Sequence, residues 1–177
     1  SDMMNYSNED RRINNDNIFD INRLGLVDTL ESGKSLTLGI DYKKEKLNDI
    51  NKFFEAKLGT VLRNKVNKDI PSSSTINKKR SNYFGKIKNS FNDNISLDYE
   101  FSVDNNFNRF EYNSFGTTIS KNKFITTFDF IEENGAIGSK NILENTTSFN
   151  FDDQNFVTFR TRKNREIDLT EYYYLIY

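Results

Sequence analysis

The side chains able to do chemistry in this chain come in couples two residues apart: Lys86 with Lys88, Asp98 with Glu100, and Arg160 with Arg162. Asp41, Glu55, Lys57 and Asp129 stand alone or in mixed company. A spacing of two puts both members of a couple on one face of an extended strand. What is missing narrows the chemistry further, for there is no His and no Cys. Without His there is no Ser-His-Asp triad, no usual zinc site and no imidazole base. Without Cys there is neither a disulfide nor a thiolate site. Carboxylates remain, yet we expect no catalytic residue, no metal and no cofactor. The charges are also balanced, 25 basic against 26 acidic. A nucleic-acid binder shows a basic excess or stripe, so no nucleic-acid partner is expected. The couples read as polar contact groups.

The elements that must carry them are strands. From Asn94 to Asp104, Ile95, Leu97, Tyr99, Phe101 and Val103 alternate with Asn94, Ser96, Asp98, Glu100 and Ser102. Such a period of two gives one apolar and one polar face. The pattern recurs and predicts strands over 35–43, 52–62, 81–91, 94–103, 107–119, 123–132, 145–151, 155–163 and 168–177. The expected class is all-β, an antiparallel up-and-down meander of about nine strands. Roughly 9–11 residues is also what a tilted strand needs to cross a bilayer. Apolar residues make up only 35% and mean hydropathy is −0.76, but alternating strands average out as polar. No stretch nears the roughly 18 apolar residues of a membrane helix. Aromatics at 14% argue against disorder. Residues 1–17 are polar and read as a loop or disordered arm, and Glu31–Lys34 as a turn. Pro71 falls in the polar stretch Asn64–Lys79, where its missing N–H harms no ladder.

Connections alternate between short (Asn92–Asn94, Ser120–Lys123, Asp153–Asn155) and a set holding the two longest, 63–80 and 133–144. Outer-membrane barrels share that habit, and sandwiches also have uneven loops. A three-residue loop at Asn92–Asn94 sets Phe91 against Ile95, Ile87 against Tyr99, Gly85 against Phe101 and Tyr83 against Val103. It also brings Lys88 to Asp98 and Lys86 to Glu100 on the other face. A two-residue loop would oppose Lys88 to Leu97 and is rejected. The same length at Asp153–Asn155 opposes Phe151 to Val157 and Phe149 to Phe159. A four-residue loop at Ser120–Lys123 opposes Ile119 to Phe124, Thr117 to Thr126 and Phe115 to Phe128. Phe110 and Tyr112 then have the wrong parity, which predicts a bulge near Asn113-Ser114.

The polar face collects Asp41, Glu55, Lys57, Lys86, Lys88, Asp98, Glu100, Asp129, Arg160 and Arg162. In a soluble sandwich it is the wet outside, and in a barrel it lines the lumen while the apolar face meets lipid. Tyr42, Tyr83 and Tyr112 suit an interfacial aromatic girdle or ordinary core and edge positions alike.

Two runs carry a likeness: Asn17-Ile18-Phe19-Asp20-Ile21-Asn22-Arg23-Leu24-Gly25-Leu26, and Asp28-Thr29-Leu30-Glu31-Ser32-Gly33-Lys34-Ser35-Leu36-Thr37-Leu38-Gly39-Ile40-Asp41-Tyr42. An Asp-rich loop and an Asn-Arg element ahead of a strand of the form G-x-x-x-x-x-G-x-x-Y resemble the LptD family of outer-membrane LPS-assembly proteins. Thr161–Tyr173 looks like that family's later hairpins. The resemblance, from about Asn17 onward, implies that residues 18–177 are an arc of a large transmembrane β-barrel. It further implies transport of lipopolysaccharide to the outer leaflet of the cell outer membrane without bond chemistry. The implied partners are lipopolysaccharide, outer-membrane lipid and a plug lipoprotein in the lumen. Asp41, Lys86, Lys88, Asp98, Glu100, Asp129, Arg160 and Arg162 then become the candidate lumen-face contacts to plug, saccharide or phosphate. The chain departs from the full pattern: it shows no periplasmic domain and lacks the cysteines of some members. It also ends within a strand, so a fragment truncated at both ends is expected, with no signal peptide at Ser1–Met4.

Two alternatives stand beside this reading. A porin or adhesin barrel shares the alternation and lacks only the Asn17–Tyr42 element. A soluble β-sandwich binding glycans needs aromatics in its loops, and 63–80 and 133–144 have none. The sequon Asn145-Thr146-Thr147, the loop Gly135–Gly138 and the turns at Asp104–Asn106 and Asp152-Asp153 are weak signals.

Overall fold

The computed structural model describes residues 12–24, 31, 33–68, 70, 72–135, 137–152 and 155–176. Residues 1–11 of the polar arm, 25–30 and Ser32 in the family-like run, Asp69, Pro71, Ala136, Asp153, Gln154 and Tyr177 lie outside them.

Nine strands form one antiparallel sheet in chain order, β1 Ser35–Lys46, β2 Asp49–Arg63, β3 Tyr83–Asn92, β4 Ile95–Val103, β5 Phe110–Lys121, β6 Phe124–Glu133, β7 Lys140–Asn150, β8 Phe156–Asn164 and β9 Leu169–Ile176. Every strand pairs with its neighbours in sequence, and β1 and β9 are not paired with each other. The sheet is therefore an open up-and-down arc. There is no second sheet among the described residues, so the sandwich alternative does not hold. No described helix is long and apolar enough to cross a membrane.

All nine expected strands exist, with shifted ends. β1 and β2 run on to a two-residue turn at Leu47-Asn48. β7 starts at Lys140 rather than 145, because Ile142 and Leu143 are adjacent apolar residues facing opposite sides, which hides the period of two. β5 starts three residues late, at Phe110. There the Asp104 carboxylate accepts the N–H groups of Asn106, Asn108 and Arg109 and holds 104–109 as a loop.

The β3–β4 register holds from Tyr83↔Val103 through Ile87↔Tyr99 and Lys88↔Asp98. The loop itself is two residues, Asp93-Asn94, which the parity argument had rejected. A bulge at Phe91 absorbs the extra residue, so Asn92 and not Phe91 faces Ile95. The β5–β6 turn is also two residues, with Asn122 at φ 54. Asn tolerates that left-handed conformation. Pairing slips by two relative to expectation, and Phe115 meets Phe130, Thr117 meets Phe128. At β7–β8 the slip is again two, setting Phe149 against Val157 and Thr147 against Phe159. The Asp152 carboxylate takes the Asn155 N–H (2.8 Å) and fixes the turn there. A slip of two keeps every side chain on its face, so faces survive where partners do not. The expected bulge at Asn113-Ser114 is absent. It sits at Glu111, between the pairs Ser102↔Tyr112 and Val103↔Phe110.

The short turns 47–48, 93–94 and 122–123 share one end of the sheet with Phe151, Asp152 and Asn155. The described residues of 64–82, 104–109, 134–139 and 165–168 share the other. The buried cluster lies at the long-loop end on the polar face, where Ile13, Ile18 and Leu24 pack with Val61, Ile70, Ile76 and Phe84. Residues 12–24 and, through Ile70 and Ile76, the described part of 64–82 are thus folded back onto the sheet.

Candidate functional site

Register assigns each charged side chain to a row running across the strands. One row is Asp41–Lys57–Lys86–Glu100–Ser114–Ile131–Ile142–Asn164, each member directly opposite the next. Beside it runs Lys43–Glu55–Lys88–Asp98–Gly116–Asp129–Glu144–Arg162–Tyr172. Nearest the short turns lies Ser90–Ser96–Thr118–Thr127–Thr146–Arg160–Tyr174. All eight candidate residues therefore share one face within three adjacent rows. They do not converge on a point, for Asp41 and Arg160 sit near opposite edges of the sheet.

The rows are laced by ion pairs. Lys57 reaches Asp41 (3.3 Å) and Glu55 (3.1 Å), and Lys88 reaches Asp98 (3.4 Å). Arg162 bridges Glu144 (3.2 Å) and Glu171 (2.7 Å). Lys86 faces Glu100 in register as expected, but its ammonium goes to Asp16 at 2.5 Å. That bond holds the Asp16 carboxyl below the usual carboxylate range. Glu100, Asp129 and Arg160 make no ion pair among the described residues.

Several anchoring residues escaped the sequence reading. Arg23 gives Nε to Glu31 (2.6 Å) and its terminal nitrogens to Thr37 Oγ1 (2.8 Å), Ser35 Oγ (2.9 Å) and the Ile18 carbonyl (3.1 Å). The other oxygen of Glu31 takes the guanidinium of Arg63. Arg12 lies 3.6 Å from the Tyr112 ring centre and bonds Glu133 at 2.9 Å. Tyr112 is therefore inward and buried, and is not part of a girdle. The Asn22-Arg23 pair was a visible signal, but nothing local in sequence tied it to Glu31 or Arg63.

The opposite face is apolar and bare. Leu36, Leu38, Ile40, Phe54, Leu58, Ile95, Phe115, Phe128, Phe149, Phe159 and Leu175 are all exposed there, Ile40 at 71%. Polar side chains among them satisfy one another. Asn145 Nδ2 donates to Thr126 Oγ1 (3.1 Å) and the Thr127 carbonyl (3.0 Å), while Thr126 and Thr147 share a bond at 2.8 Å. The outward row Asn113–Glu132–Asn141 lies toward the long-loop end. There Tyr99 Oη donates to Asn113 (2.9 Å), and the aromatic Tyr83 stacks on Phe107 at 4.4 Å.

An antiparallel meander with polar side chains inward, apolar ones outward, and short turns at one end defines the class of outer-membrane β-barrel walls. No curated protein matches the chain. A family model described as LPS transport system D matches residues 1–164. The chain belongs to the LptD family, a family of outer-membrane transport proteins for lipopolysaccharide. The porin and adhesin alternative falls with that match.

Proposed function

We propose that this chain is a stretch of barrel wall through which lipopolysaccharide is delivered to the outer leaflet of the outer membrane. Its bare face meets lipid and its charged face the lumen. The carrying observation is the exposed apolar surface running across all nine strands. Soluble monomers keep such patches to a few hundred Å², whereas a bilayer needs them. No bond is made or broken. Asp41, Lys86, Lys88, Asp98, Glu100, Asp129, Arg160 and Arg162 act by polar contact with the plug lipoprotein or with passing saccharide and phosphate groups. Glu100, Asp129 and Arg160 are the first to try, since no described ion pair holds them.

The absence of Trp makes the test simple. Phe128→Trp and Thr127→Trp place single reporters on neighbouring residues of β6 that face opposite ways. In liposomes containing brominated lipid, fluorescence from the first should be quenched and from the second retained. Equal quenching at both positions, or the reverse pattern, sinks the proposal.

A further inference from the structure

We infer that the outward groove shared by β1, β2 and β3 holds one molecule of lipopolysaccharide already delivered to the outer leaflet. An acyl chain lies in the groove, and a phosphate meets Lys34 and Arg80 above it. The inference rests on the lipid-facing reading of that face. The groove has a volume of about 220 Å³ and runs between Leu38, Ile40, Leu58, Thr60 and Tyr83. Its floor is the backbone of Gly39 and Gly59, which stand directly opposite each other, and Phe19 and Ile18 close the far side of that floor. Missing side chains make the hollow. Gly85, opposite Leu58, has none, and the Phe101 ring from β4 covers it. The Tyr83 ring stacks on Phe107 at 4.4 Å and walls the groove on that side. The side-chain lining is carbon save for two hydroxyls, and that of Thr60 is already shared with Ser81 at 3.3 Å.

The two cations stand where a headgroup would. Leu36 pairs with Leu62 and Leu62 with Arg80, so Arg80 shares their outward face. The ladder continues from the Asn64 N–H to the Lys34 carbonyl at 3.3 Å, which puts Lys34 two residues beyond Leu36 on the same side. The Leu36–Leu62–Arg80 row lies about 7 Å along the strands from Leu38 and Thr60. Around it, residues 63–80 carry Arg63, Lys65, Lys68, Lys78, Lys79 and Arg80 against one acid, Asp69, in a chain of net charge −1. Arg63 is taken by Glu31. Lys34 and Arg80 are exposed, and neither they nor the four lysines enter an ion pair among the described residues. Unspent positive charge at the rim of an apolar hollow fits an amphiphile that carries phosphate. The long-loop end is the outer-leaflet side of such walls, and the lipid this family delivers there is lipopolysaccharide.

In cells carrying the whole protein, a benzoylphenylalanine photocrosslinker at Leu36, on the rim, should capture lipopolysaccharide. Capture should fall severalfold when Lys34→Gln and Arg80→Gln are combined, and likewise when Thr60→Trp fills the groove. A photocrosslinker at Phe110, outward at the same end and in edge contact with Phe101, should label lipid equally in every background. Capture at Leu36 that either variant leaves unchanged overturns the site. So does capture of phospholipid or protein there in place of lipopolysaccharide, or lipid at Phe110 with none at Leu36. Only barrels that keep their heat-modifiable band are compared, and if Thr60→Trp does not assemble, the charge pair decides alone. No lipid at either position, like a reversed tryptophan pattern on β6, overturns the lipid-facing reading beneath the site.

Discussion

Arg23 shows how much one side chain can organise. It and Glu31 are each 8% exposed, and the Arg23 guanidinium makes bonds to four partners. Without Arg23, Glu31 keeps Arg63, but Thr37 Oγ1, Ser35 Oγ and the Ile18 carbonyl lose their donor, and an unpaired buried polar group costs about 1–3 kcal/mol. Arg23→Ala should lower the urea-unfolding free energy of the lipid-folded chain by about 2 kcal/mol, and Arg23→Lys by less, since an ammonium keeps the charge and part of the bonding but not the fork. Asp16 gives a pH signature. Lys86 lowers its folded-state pKa, so its contribution is complete above the unfolded value of about 3.9 and is lost as pH falls through the folded one. The stability gap between wild type and Asp16→Asn should be constant near pH 6 and close below pH 4. The gap itself will be small, since 59% of the Asp16 side chain is in solvent.

At the scale of the element, the bulge on β5 decides which way the start of the strand faces. Glu111 is the extra residue, and it is 1% exposed. Its carboxylate takes Asn82 Nδ2 at 2.6 Å and Arg109 at 3.0 Å, and Asn82 also donates to Ser102 Oγ at 3.0 Å. Glu111→Ala leaves a buried amide short of an acceptor, at about 1–3 kcal/mol, and should lower stability by about 2 kcal/mol in equilibrium unfolding. The mismatch of Phe110 with the rest of β5 was legible in the sequence as wrong parity. Its position was not, because Asn82 comes from a different strand's approach and supplies the partner that draws the bulge to Glu111. Turn lengths failed in the same way at Asn122 and Asp152, where a left-handed residue and a side-chain bond moved the register by two.

Across the whole molecule the two faces should answer differently to charge. An Arg on the lipid face of a barrel costs about 2–4 kcal/mol near the midplane. If that face meets lipid as proposed, Phe128→Arg should reduce folding stability in lipid vesicles by that order, about 2–4 kcal/mol, while Thr127→Arg on the neighbouring polar-face position should change it little. Alternation along each strand was enough, with no structure, to establish the strand count, the order of the meander and the face of every candidate residue. That is because side-chain direction in a strand depends only on parity, and slips of two leave parity alone. Contacts that join distant stretches were decided by the fold alone. Asp16 takes Lys86 away from Glu100, Arg12 claims Tyr112, and a polar Asn-rich segment becomes part of the core because Gly39 and Gly59 leave it a seat. Periodicity describes a strand's own neighbours; a chain that folds back over a sheet obeys only the shapes and charges it meets there.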